Sequence, residues 1–237
     1  MKLAIETHGH GPSLVLIHGM GSAATAWKPI IPELAKHFQV ITVDLPGHGR
    51  TPYSPIQQMD PNSLAKLIIR NLKDIGVEEF DLVANSLGGW ISFEMAVLNP
   101  DSVKSITALA PAGLWLTPFT SRYPGELALR MMASGVEKLA PSLLNYTWAK
   151  RIGFETVSPR WKELSYEICL DATSAMAQST GVPSTEYAWI FGISYSSWFF
   201  NSKSSLRVKD IPQALIFSFG ATITTSSPNE ANHFANS

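Results

Sequence analysis

The residues of this chain best spaced for chemistry are Ala84-Asn85-Ser86-Leu87-Gly88-Gly89, set between the apolar run Phe80 to Val83 and the apolar stretch Trp90 to Leu98. That order reads as strand, tight turn and helix, with Ser86 at the tip. A turn that folds strand and helix back against each other leaves no room for bulky side chains two residues before and after the serine. Ala84 and Gly88 meet that demand. The turn lifts the hydroxyl clear of the sheet and sets the Leu87 amide at a helix N-terminus, where the backbone dipole favours developing negative charge. The chemistry this suits is attack by the Ser86 hydroxyl on a carbonyl carbon. The same string also serves, with no chemistry at all, as a turn joining a buried strand to a buried helix.

The elements that must position Ser86 follow from the pattern around it. Lys2 to Thr7 alternates as a short strand, and Leu14 to Ile17 is an apolar run suited to a buried parallel strand. His18-Gly19-Met20-Gly21 ends that run. Ala23 to Phe38 reads as a helix interrupted near its start by Pro29 and Pro32, with Trp27, Ile30, Ile31 and Leu34 facing inward. Val40 to Val43 is the next strand, closed by the turn cluster Asp44-Leu45-Pro46-Gly47-His48-Gly49. Asp60 caps a helix that opens at Pro61 and stops at Gly76. After the helix that follows Ser86, Val103 to Ala110 gives one more apolar strand, closed by Pro111-Ala112-Gly113. Alternation with short turns predicts an α/β fold, a doubly wound, mostly parallel sheet covered on both faces. Ligands gather at the carboxyl ends of such strands, where His18, Asp44, Ser86 and Pro111 all fall.

Composition removes several functional classes. With 237 residues the chain suits one compact domain or a core with one large insertion. Its 18 basic side chains balance 19 acidic ones, which leaves no electrostatic footprint for nucleic acid or an anionic membrane. Cys169 is the single cysteine, so an intrachain disulfide or a cysteine-based metal site is excluded, and its simplest role is a small core residue. Met1 to Gly11 has no apolar signal core, and no apolar run approaches membrane-spanning length. The expectation is a cytoplasmic protein with a small-molecule substrate, no nucleic-acid or membrane partner, no cofactor and no metal. His18 and His48 read as hydrogen-bonded loop residues rather than acid–base groups, and Asp44 as a tie for its own loop.

From Leu114 the alternation of strands stops. Helix-like stretches occur around Gly125 to Leu139, Ser142 to Arg151 and Arg160 to Met176, with Trp115, Trp148, Trp161, Trp189 and Trp198 among them. We therefore divide the chain into a core, residues 1–113 and 206–237, and a helical lid, 114–205. The aromatic residues fit either an apolar underside of that lid or ordinary packing between its helices. Ala214 to Phe219 returns to the sheet.

Four motifs in one order carry a resemblance. His18-Gly19-Met20-Gly21 matches an H-G-x-G loop, Trp27 the tryptophan that follows it, Asp44 to Gly49 a D-x-P-G-x-G turn, and Ala84 to Gly89 a nucleophile elbow with alanine in the first glycine position. Over residues 1 to about 217 the chain resembles the lid-bearing serine branch of the α/β-hydrolase superfamily. The resemblance implies Ser86 as nucleophile and the backbone amides of Met20 and Leu87 as oxyanion hole, with His18, Gly19, Trp27 and Asn85 beside the pocket. Serine at the tip sets the chain apart from haloalkane dehalogenases and epoxide hydrolases, which use aspartate there. The Asn85-Ser86-Leu87-Gly88-Gly89 string is similar both to carbon–carbon bond hydrolases and to lid-bearing esterases.

The chain departs from the family after Phe217. There the family places an acid, then a further strand, then a histidine. Here no aspartate follows Asp210, and His233 is the one histidine after Ser86. His233 is the candidate base, and Glu230 a weaker candidate to orient it. Residues 220–237 are polar and read as an atypical tail, so the expected sheet lacks its last strand and the C-terminus reads as incomplete. That would leave the edge beside Ala214 to Phe219 open unless Thr222 to Thr225 folds over it. Three readings stand at this point: a serine hydrolase of a small, fairly apolar ester or related carbonyl compound, a catalytically impaired hydrolase or small-molecule binder lacking the acid and base, and a carbon–carbon bond hydrolase.

Overall fold

Among the described residues seven strands form one sheet in the order β1-β3-β2-β4-β5-β6-β7: β1 (Ala4–His8), β2 (Ser13–Ile17), β3 (Gln39–Asp44), β4 (Phe80–Asn85), β5 (Val103–Leu109), β6 (Ala214–Phe219) and β7 (Thr222–Ser226). The computed structural model describes residues 1–112, 138–155, 158, 160–179, 214–219 and 222–226. The five inner strands β3, β2, β4, β5 and β6 are parallel, and β1 and β7 close the edges antiparallel. The expected doubly wound, mostly parallel α/β sheet is therefore what forms. From β2 the chain first steps outward to β3, then returns to β4 on the other side of β2 and continues to β5 and β6. The reversal opens a crevice between the carboxyl ends of β2 and β4, where Ile17 pairs with Ala84.

Alternation along the strands divides the core between two faces. Val15, Ile17, Ile41 and Val43 join Leu64, Ile68 and Leu72 of helix α2 (Pro61–Asp74) and Ile91 of α3 (Leu87–Leu98) in the larger apolar layer. Leu14, Leu16 and Val40 turn the opposite way and pack with Trp27, Ile31 and Leu34. Truncating a fully buried leucine such as Leu64 to alanine costs about 2–5 kcal/mol in sites of this kind. The α2 helix starts as its sequence dictates, with Asp60 accepting from the Ser63 amide at 3.0 Å and Pro61 in the first turn.

The stretch from Ala23 to Phe38 departs from the expected interrupted helix. It is a 3-10 turn, Ala24–Trp27, followed by a single helical turn, α1 (Ile31–Leu34), and Ile30 is exposed. Pro29 and Pro32 supply no amide donors, so a continuous ladder cannot run through them.

Beyond β5, Ala140–Leu143, Thr147–Phe154 and Tyr166–Ser179 are helical, and Phe154, Trp161 and Cys169 pack together in a small apolar cluster. Burial pushes the Cys169 thiol pKa up, with the Lys150 charge opposing. The helix expected around Gly125 to Leu139 falls almost wholly outside the described residues, as do Trp115, Trp189 and Trp198. Past β6 the sheet continues: β7 pairs with it from Leu215 opposite Ser226 to Phe219 opposite Thr222, and two residues join the strands. Thr222 to Thr225 thus covers the β6 edge, as β-branched residues are suited to do. Among the described residues no helix is long and apolar enough to cross a membrane.

Candidate active site

Ser86 sits between the last residue of β4 and the first of α3 with φ 51° and ψ −113°, a backbone conformation that non-glycine residues rarely adopt. Neighbouring backbone holds it there. The Ser86 amide donates to the Leu109 carbonyl at 3.0 Å, its carbonyl accepts from the Ala112 amide at 2.8 Å, and the Asn85 side chain donates to the same Leu109 carbonyl at 3.0 Å. The carboxyl end of β5 therefore clamps the turn from one side. Ala110, at φ 43°, is a second strained residue in that clamp. Only the proline that follows marks this position in the sequence.

The H-G-x-G loop closes on the turn from the other side. A methyl group on Gly19 would lie 3.0 Å from Ser86 Cβ and 2.9 Å from Asn85 Oδ1, so only glycine lets the loop come this close. A methyl group on Gly88 would meet the carbonyl oxygens of Ile17 and His18 at 2.4 and 2.8 Å, which explains the small residue two positions after the serine. The structure thus brings Ser86, Asn85, Gly19 and the flanking Met20 and Leu87 to one end of the β2–β4 crevice. Leu87 is the first residue of α3, so its amide has no carbonyl four residues back within the helix to bond. Ser86, Asn85 and Met20 are half-buried.

The polar loop residues are fully committed. His18 and His48 are each 1 % exposed and Asp44 2 % exposed. His18 Nδ1 lies 2.7 Å from the Gly19 carbonyl, and its Nε2 accepts from the Leu45 amide at 3.0 Å. His48 Nδ1 lies 2.9 Å from the Pro46 carbonyl, and its Nε2 accepts from the Gly21 amide at 3.2 Å. Burial lowers the His18 pKa from 6.5 to about 4, with the Gly19 hydrogen bond opposing, so the ring is neutral at pH 7. Asp44 accepts from the Ala24 amide at 2.7 Å and the Arg50 amide at 3.1 Å. Loop support rather than proton transfer is what these contacts provide. Trp27 is buried among Leu14, Leu16 and Val40.

His233 and Glu230 lie outside the described residues. Among the described residues no side chain hydrogen-bonds the Ser86 hydroxyl, and no cluster of histidine, cysteine and carboxylate groups could hold a metal. A cavity of about 360 Å³ lies between the Ala24–Trp27 turn, Asp44 to Arg50 and the Tyr166–Ser179 helix. A larger one, about 700 Å³, runs along β1 and the end of α2, away from Ser86.

A family model for the alpha/beta hydrolase fold matches residues 12–147, more than half of the chain. The chain belongs to the alpha/beta hydrolase fold family. Among curated relatives, a pimeloyl-[acyl-carrier protein] methyl ester esterase of Aeromonas hydrophila is 31% identical over 140 residues, covering 59% of this chain and 52% of the relative. The chain spans about half the length of such relatives. Among solved structures, naproxen esterase from Bacillus subtilis superposes with a TM-score of 0.66 at 17% identity, over 98% of this chain and 74% of that one. A meta-cleavage product hydrolase from Pseudomonas fluorescens gives 0.64 at 19% identity, over 91% of this chain and 74% of that one. At those identities the structures establish the fold that places Ser86 between β4 and α3.

Proposed function

We propose that this chain is a serine hydrolase of a small, fairly apolar ester, working through an acyl-enzyme at Ser86. The observation that carries the reading is Ser86 itself, held at φ 51° on the turn between β4 and α3, with Gly19 against its Cβ. A serine kept in a strained conformation by a clamp on either side is the arrangement a nucleophile needs and a plain turn does not. The Ser86 oxygen bonds to the acyl carbon, and the carbon–oxygen bond to the alcohol then breaks. The serine proton passes through a base to the departing alkoxide. Water then adds to the acyl carbon and regenerates the hydroxyl. The amides of Met20 and Leu87 hold the negative oxygen in both halves, each worth about 3–4 kcal/mol when aimed at it.

An ester is preferred to a carbon–carbon substrate because several of the curated relatives are named pimeloyl-[acyl-carrier protein] methyl ester esterases. Residues 114–205 form the lid in this reading, and His233 is the candidate base. Hydrolysis of p-nitrophenyl acetate and butyrate by the parent chain and by Ser86→Ala tests the proposal. Loss of the rate in the variant, with a fluorophosphonate adduct at Ser86 in the parent, is the expected result. Equal rates overturn it. His233→Ala at the parent's rate would remove that residue from the scheme.

One observation favours a second reading, a binder with impaired turnover. β6 and β7 are joined by two residues and run antiparallel, so no acid-bearing loop and crossover to a parallel strand intervene there. A chain that binds an ester but neither hydrolyses it nor takes the fluorophosphonate would support this alternative.

A further inference from the structure

We propose that His18 and His48 are paired positioning residues, each imidazole holding the opposite loop, which together fix the orientation of the Met20 amide toward Ser86. This rests on the reading of that amide as an oxyanion donor. The two loops leave the carboxyl ends of neighbouring parallel strands, β2 and β3. His18, from the first loop, receives the Leu45 amide of the second at 3.0 Å, and His48, from the second, receives the Gly21 amide of the first at 3.2 Å. The ring centroids are 5.2 Å apart.

The chemistry of the four contacts fixes both tautomers. Each Nε2 faces an N–H and must be the unprotonated nitrogen, so each ring proton sits on Nδ1, where a carbonyl oxygen receives it. A protonated ring would lose its acceptor and release the other loop. The peptide unit Gly19–Met20 is planar and trans, so its carbonyl and its N–H point in opposite directions. The His18 Nδ1–H holds that carbonyl at 2.7 Å and thereby sets the direction of the Met20 N–H. The next peptide unit, Met20–Gly21, is held through its N–H by His48. Both peptide planes flanking Met20 are thus oriented, one by His18 together with the Ser22 amide, which also donates to the Gly19 carbonyl at 3.2 Å, and the other by His48.

Asp44 adds a third tie across the loops through the Ala24 amide. Among the described residues the charged groups that meet these loops are Asp44, Arg50, whose Nε lies 3.5 Å from the Asp44 carboxylate, and Glu6, which pairs with Arg50. At the far end of the Ala24–Trp27 turn, Lys28 pairs with Asp171. The low His18 pKa agrees with a ring kept neutral against this background.

The test uses the whole chain and two separate readouts. Nitrogen–nitrogen couplings across the hydrogen bonds from Gly21 to His48 Nε2 and from Leu45 to His18 Nε2, measured by NMR on 15N-labelled protein, report the ties themselves. Their absence in the folded parent overturns the proposal. The second readout is the rate of fluorophosphonate labelling at Ser86, with kcat and KM for p-nitrophenyl butyrate, in His48→Phe and His48→Gln. Loss of the acceptor in His48→Phe is expected to lower labelling and kcat about 10- to 100-fold, less than outright loss of an oxyanion donor, with KM little changed. Glutamine offers an oxygen near the Nε2 position and is expected to restore most of the rate. A folded His48→Phe that labels at the parent's rate overturns the positioning role. Couplings present in a parent that takes no label would instead overturn the serine-hydrolase reading on which the role of that amide rests, while leaving the ties between the loops in place.

Discussion

The sheet ends very differently after β4 and after β6. After β4 the chain turns through one strained residue into a helix, braced by β5 on one side and the Gly19 loop on the other. After β6 it turns back through two residues into an antiparallel edge strand. The first exit carries a geometry that only tight packing can maintain, and the second is a hairpin that pairs the edge. The backbone that carries Ser86 is therefore specified by β2, β4 and β5 together with the Gly19 loop. It stands whether or not a base reaches it.

The largest expected effect sharpens this contrast. Gly88→Ala puts a methyl group within 2.4 Å of the Ile17 carbonyl oxygen, against backbone that cannot yield without moving β2. We expect a loss of about 3 kcal/mol or more in urea unfolding, or no folded protein. An unchanged midpoint would mean that the first exit is less constrained than its geometry requires.

Acidification probes the same region. The folded-state pKa of His18 is below its unfolded value, so between pH 6.5 and about 4 the unfolded chain binds a proton that the folded chain does not. Stability contributed by the neutral ring is present above pH 6.5 and is lost as pH falls to about 4, up to about 3 kcal/mol in total. Urea midpoints at pH 7 and pH 4.5 should show it, and His18→Gln should flatten that part of the curve.

Much of the first exit was legible in advance, because glycine and alanine around Ser86, and the H-G-x-G string, report steric demands that are local in sequence. The ties between His18, His48 and the opposite amides were not, since nothing in either motif says that the two loops face each other. Their signal lay in topology: both follow adjacent parallel strands. The strand Thr222–Ser226 was obscured by its polar composition, although its threonines and isoleucine are good strand formers. Ile30, assigned inward by helical spacing, is exposed because the two prolines break the period on which that assignment depended.

Relief of strain should have the opposite sign. Ser86→Gly removes the Cβ from a residue at φ 51° and is expected to stabilise the fold by about 1 kcal/mol while abolishing fluorophosphonate labelling. A destabilised variant would show that the turn is not strained. The smallest effect belongs to the exposed pair between Lys28 and Asp171, which joins the Ala24–Trp27 turn to the Tyr166–Ser179 helix at 2.7 Å. Lys28→Ala should change the unfolding free energy by about 0.5 kcal/mol or less, with thermal denaturation as the check.

The hydrogen bond from the Ala112 amide to the Ser86 carbonyl also sets a boundary for engineering. Replacing residues 114–205 by the corresponding segment of another member of the family is safe only if the splice follows Ala112. A junction placed before Pro111 would exchange part of the brace together with the graft, and the serine would inherit whatever backbone the donor happened to bring.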